Sequence, residues 1–198
     1  MTTFRPVACW LLAYALGIAC AHAQASEKEG KEENYITQRL LIFNDRDEVL
    51  LQLNGMGWST PGQRFDRPLS VRAALDELAA RYGVRIDDVR LAGLLTHSYG
   101  YSPAISTRTH YHARWAGGEP RAPDGVQSLR WFPREEAIVV MALESQRAPP
   151  SFVEMTTRML REPDSVWGGA FHVWEETGIY RSRPLEPMHA LATPGGSP

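Results

Sequence analysis

The residues with chemistry to offer fall into two groups. The first is a loop followed by a helix-patterned stretch: Asn54-Gly-Met-Gly-Trp-Ser-Thr-Pro-Gly62, then Asp66, then Asp76 and Glu77. Glycines at 55, 57 and 62 let a backbone turn tightly or approach a neighbouring group closely, and carboxylates sharing a helix face can hold a hard cation. Trp58 within the loop reads either as a packing residue or as a platform for a base. The second group is Arg108, His110, His112 and Arg114, which alternate with Thr107, Thr109, Tyr111 and Ala113 and so share one face of a strand. That face has three readings: a solvated sheet surface, a phosphate-binding surface of arginine forks and imidazoles, or a His-x-His metal site. His97, on the preceding run, is the one obvious third ligand, or else a cap on a polar edge.

Regular elements must position these groups. Val71, Ala74, Leu75, Leu78 and Tyr82 recur at helical spacing, with Ser70 placed to cap the start and Gly83 to end the helix in the left-handed conformation. Apolar, β-prone runs at 35–43 and 49–53 flank the turn-forming 44–48, a hairpin pattern. Runs at 89–101 and 105–115 are two more strands, turning at Ser102-Pro103, and 129–132 is a short one. A helix over 133–143 begins with proline and has Glu135 and Glu136 near its positive end, where carboxylates favour the macrodipole. A further helix begins at Ser151, with capping-box spacing to Glu154 and with Phe152, Met155 and Met159 on one face, and stops near Pro163. The aromatic runs at 167–174 and 179–182 form a hairpin or a lid.

The loop and helix resemble the box of the Nudix hydrolase family, G-x(5)-E-x(7)-R-E-U-x-E-E-x-G-U with U aliphatic. Anchored on Gly62, the sequence matches at Gly62, Glu77, Leu78, Gly83 and Val84 without insertion, and departs at Pro68, Asp76, Ala80 and Arg81. The resemblance spans residues 35–141 and implies an α+β fold, an α/β/α sandwich with a mixed sheet flanked by helices. It also implies Mg²⁺ or Mn²⁺ bridging the diphosphate of a nucleoside diphosphate derivative, attacked by water. The family's three ligand carboxylates fall here at Glu77, Ala80 and Arg81. A guanidinium about 4–6 Å from the metal position repels a dication by several kcal/mol at an effective dielectric near 20. Glu77 then has two roles open to it: surviving ligand or base, or i, i+4 partner of Arg81. Asp66 and Asp76 are the candidate replacement ligands, although Asp76 sits about 100° around the helix from Glu77.

Two functions follow. One is a module that binds a small anionic or phosphate-bearing ligand, or a partner, without a cofactor, with Arg81 and also Arg108 and Arg114 on phosphate. The other is a divergent, metal-dependent hydrolase of a phosphoanhydride. The 198 residues are 43% hydrophobic and 22% charged, which suits one core. A net charge of −2 provides no global field for nucleic acid or an anionic membrane. Residues 1–23 read as a secretory signal peptide: Arg5, a short apolar run, then Ala21-His-Ala23. Both cysteines, Cys9 and Cys20, lie within it, so cleavage after Ala23 leaves a periplasmic or secreted chain without a thiol; the rival reading makes Cys20 a lipid-attachment cysteine. Residues 24–34 read as a charged linker, 35–147 as the Nudix-like domain, 148–192 as a C-terminal helix and hairpin extension, and 193–198 as a disordered tail. The oligomeric state is left open.

Overall fold

The computed structural model describes residues 34–193. The expected signal peptide, all of the linker but Asn34, and the tail beyond Thr193 lie outside the described residues. The strands are β1 (Tyr35–Phe43), β2 (Glu48–Asn54), β3 (Gly57–Ser59), β4 (Gly62–Phe65), β5 (Val84–Tyr99), β6 (Ser102–Gly118), β7 (Ser128–Pro133), β8 (Val166–Glu176) and β9 (Ile179–Ala192). The helices are α1 (Val71–Arg81), α2 (Arg134–Glu144) and α3 (Pro150–Arg161). All the strands belong to one sheet ordered β3-β2-β1-β6-β5-β8-β9, with β4 also paired to β1 and β7 to β2. The β1–β6 and β5–β8 pairs are parallel and the remainder antiparallel, so the sheet is mixed.

Alternation along β1 and β2 feeds two cores. Leu40, Ile42 and Leu50 meet Leu75 and Leu78 of α1, and Tyr82 at its C-cap, on one face. Leu41, Phe43, Val49 and Leu51 meet Ile138 and Met141 of α2 and Met155 and Met159 of α3 on the other. The three-layer arrangement expected from the sequence is therefore present. Ser70 caps α1 by accepting from the Ala73 amide at 3.2 Å, and Gly83 (φ +76°) ends it. Of the predicted stripe only Val71 departs: it is 45% exposed at the first turn, and Ala79 is buried in addition.

Three expectations are revised. The stretch read wholly as a loop contains β3 and the start of β4, which are joined through Thr60-Pro61, with Gly57 at φ +106° where β3 begins. The β5–β6 turn is at Gly100-Tyr101, leaving Ser102 and Pro103 inside β6. Ser151 does not cap α3: Pro149 is the N-cap residue, while Ser151 is buried in the first turn and its amide donates to Ser182 Oγ at 2.9 Å. The segment after residue 147 is integral to the domain, since α3 fills a core and β8 pairs with β5 over seven residues.

Candidate functional site

The α1 face that the sequence singles out forms one wall of an open cleft lined by Gln63, Arg64, Asp66, Arg67, Glu77, Ala80 and Arg81. Helical spacing places Glu77, Ala80 and Arg81 on the side away from Leu75 and Leu78, and all three are exposed. Glu77 does not pair with Arg81. Its carboxylate accepts from Arg67, in the loop before α1. Arg81 donates to Gln63 Oε1 at 2.7 Å, and Gln63 in turn donates to Gln38 Oε1 and to the Ala74 carbonyl, each at 2.8 Å. The expected helical ion pair is thus replaced by two contacts from α1 to the β4 side. The loop offers the Arg67 guanidinium to Glu77, and β4 offers the Gln63 amide to Arg81.

The other box departures have local explanations. Asp76 accepts from Arg72 Nε at 2.9 and 3.0 Å, and Arg72 also donates to the Ile86 carbonyl, which ties α1 to β5. Asp66 lines the cleft, and Gly62 lies against Arg39, whose Nε would be 3.1 Å from an added Cβ.

Does this donor set fit the divalent metal that the fold implies? A hard dication needs several converging oxygens. Among the described residues no group of three or more His, Cys, Asp or Glu side chains is placed to hold an ion. Arg64, Arg67 and Arg81 outnumber the cleft's two carboxylates. The Arg67–Glu77 pair is solvent-exposed and worth under about 1 kcal/mol, so it alone would not exclude a cation. The donor set is two carboxylates, one of them paired with Arg67, among three guanidiniums, and these residues do not fit the metal.

The second predicted group lies on the opposite face of the sheet, beneath α3. Arg108, His110 and His112 are buried, at 7%, 1% and 3% exposure, and only Arg114 is exposed, with Nη1 3.3 Å from the Asn44 carbonyl. The solvated-face reading is corrected accordingly: parallel pairing with β1 aligns His112 with Leu41, on the face that α2 and α3 cover. Arg81, Arg108 and Arg114 therefore do not converge on one ligand. His97 is fully buried, stacked on Phe171, with Nε2 3.5 Å from Ser151 Oγ, and makes no metal group with His110 and His112.

Burial, then the charge of Arg108, lowers His97 to about 3. Burial, then Arg90, lowers His112 to about 4, and burial followed by Arg39 and Arg108 pushes His110 well below its ordinary value. All three rings are neutral near pH 7. Arg39, lowered to about 10 by burial and then by Arg108, remains a cation.

Trp58 is buried, edge-on to Phe132 at 4.9 Å, with its indole N–H donating to Glu144 at 2.8 Å, so it packs rather than offering a free ring at the cleft. Sequence reasoning overlooked Arg64, on the four-residue strand β4, Arg67, in the loop before α1, and Arg39. The last had a signal: it shares parity with Leu41 and Phe43 in a half-apolar strand, so it must point into a core.

No family model matches the sequence, and no curated protein does. Solved structures do match. The mutator MutT protein from Bacillus halodurans superposes with a TM-score of 0.59 at 14% identity, over 79% of this chain and 97% of that one. A NUDIX hydrolase from Nitrosomonas europaea gives 0.51 at 16% identity, over 62% and 85%. The chain has a Nudix-like α+β fold.

Proposed function

We propose that this Nudix-fold protein binds a small phosphate-bearing anion in the α1 cleft and does not carry out metal-dependent phosphoanhydride hydrolysis. One observation carries the reading: where a diphosphate would need a metal cradle, the cleft has a single α1 carboxylate, tied to Arg67, beside Ala80 and Arg81. Arginine forks can take the place of a metal as counter-charge for phosphate oxygens, but they generate no metal hydroxide and supply no Lewis acid. Arg81, in the cleft lining, donates to Gln63 of β4, and Arg64 lies over the Tyr35 ring at 4.4 Å. The reading of residues 1–23 places this activity in the periplasm or outside the cell.

Titrating the protein with inorganic pyrophosphate in EDTA tests the reading. Binding is expected without metal and should weaken at least about tenfold in Arg81→Glu, consistent with loss of a charge-assisted contact. Binding that requires Mg²⁺, or that is indifferent to Arg81→Glu, would refute it.

A further inference from the structure

On the far side of the sheet from the α1 cleft, a cavity of about 90 Å³ lies between the strands and helices α2 and α3. Its lining includes exposed Met56 and the partly exposed Asn54 and Ala148, which set its mouth between the β2–β3 turn and the α2–α3 connection. Its walls are apolar: Trp58, Met141, Phe152, Val153 and Met155. Its floor is not. Arg39, Arg108 and His110 point into it from β1 and β6.

The charges on that floor lack a counter-ion. Among the described residues neither Arg39 nor Arg108 has a carboxylate within ion-pair reach. Arg39 spends one N–H on the Thr60 carbonyl at 2.8 Å. Arg108, 93% removed from solvent, lies over the Phe152 ring at 3.8 Å and donates to the Tyr99 hydroxyl at 3.3 Å, and its Nε–H has no partner. His110 Nδ1, in the same lining, is likewise unpartnered. A buried arginine is ordinarily paired, because an isolated charge in a medium of low polarisability is costly; Arg108 is buried and Arg39 half-buried, and desolvation followed by the charge of Arg108 lowers the affinity of Arg39 for its proton. Neutral His110 adds a hydrogen-bonding group to the floor without adding charge.

We propose that this cavity binds a small organic carboxylate, one planar oxyanion on a compact apolar body, with the carboxylate between Arg39 and Arg108 and the body against Trp58 and Phe152. The forks suit two carboxylate oxygens, and the volume lies well below the roughly 300–1,000 Å³ of sites for larger ligands, so a nucleotide is too big. The site is independent of the α1 cleft: side chains of β1 alternate, with Gln38 hydrogen-bonded to Gln63 on the α1 side and Arg39 on the other.

The test uses calorimetry on the full exported chain with benzoate, its neutral isostere benzamide, and phenyl phosphate. Benzoate should bind at least about tenfold more tightly than benzamide, and the difference should vanish in Arg108→Met, and separately in Arg39→Met should the first variant not fold. Arg108→Met should leave the ligand-free Tm unchanged or higher, since it removes a charge without a counter-ion, and Arg81→Glu should not alter benzoate binding. Equal binding of benzoate and benzamide, tighter binding of phenyl phosphate than of benzoate by Arg81→Glu, in which the α1 cleft is impaired, or failure of benzoate to bind would overturn the proposal. So would a Tyr99 phenolate signal at neutral pH, absent in Tyr99→Phe, because it would reveal an internal counter-ion.

Discussion

Acidifying the protein should destabilise it through its buried histidines before most carboxylates take up protons. His97 is fully buried against Phe171 and Phe152, faces Arg108, and stays neutral in the folded state down to about pH 3. His112 is buried against Phe43, with Arg90 and Arg134 as its charged neighbours, and stays neutral down to about pH 4. In the unfolded chain both rings protonate near pH 6.5. The folded affinity for a proton is the lower one, so between these limits the unfolded state binds more protons and stability falls as pH falls. No contribution is expected above about pH 7.5, and the loss saturates near pH 3. At about 1.4 kcal/mol per pH unit, each ring costs about 2–3 kcal/mol by pH 4.5, and the pair costs about 5. His110 acts in the same direction. That is a large fraction of the 5–15 kcal/mol stability typical of a domain. Urea unfolding followed by tryptophan fluorescence at pH 7.5 and 4.5 would measure the loss, and His97→Gln/His112→Gln should remove about 5 kcal/mol of the pH dependence whatever it does to the baseline. An unchanged slope in that double variant, or ring proton resonances of the folded protein titrating near pH 6.5, would refute the reasoning.

Two further outcomes can be checked directly. Gly83→Ala should cost about 2–4 kcal/mol in denaturant midpoint measurements, because φ is +76° and the new Cβ would lie 2.2 Å from the Glu119 backbone oxygen, which a side-chain rotation cannot relieve. The exported protein should begin at Gln24 by mass spectrometry, whereas an intact Met1 in the mature chain would remove the argument for export.

Helix α1 was legible because its information is local. The spacing of Leu75 and Leu78, the Ser70 cap and the Gly83 terminus act within one or two turns, and all recur in the structure. The Nudix-like fold followed from the order of elements and five matched box positions. The environment of β6 was not legible. Alternation assigns Arg108, His110 and His112 to a common face, yet which face is covered depends on α3, more than 35 residues later in the chain. A polar strand face ordinarily looks to solvent, and here α3 buries it. The partner of Glu77 was missed for a related reason: helical spacing proposes Arg81, while the loop preceding α1 delivers Arg67. Capping-box spacing at Ser151 misled because Pro149-Pro150 had already started the helix.

The central claim is that the α1 cleft recognises an anion without a functional metal box. Its most direct test is hydrolysis of a panel of nucleoside diphosphate derivatives by the purified mature protein with Mg²⁺ or Mn²⁺, alongside Glu77→Gln. No turnover above the metal-only background is expected, and Glu77→Gln should change nothing. Metal-dependent release of product that disappears in Glu77→Gln would contradict the account.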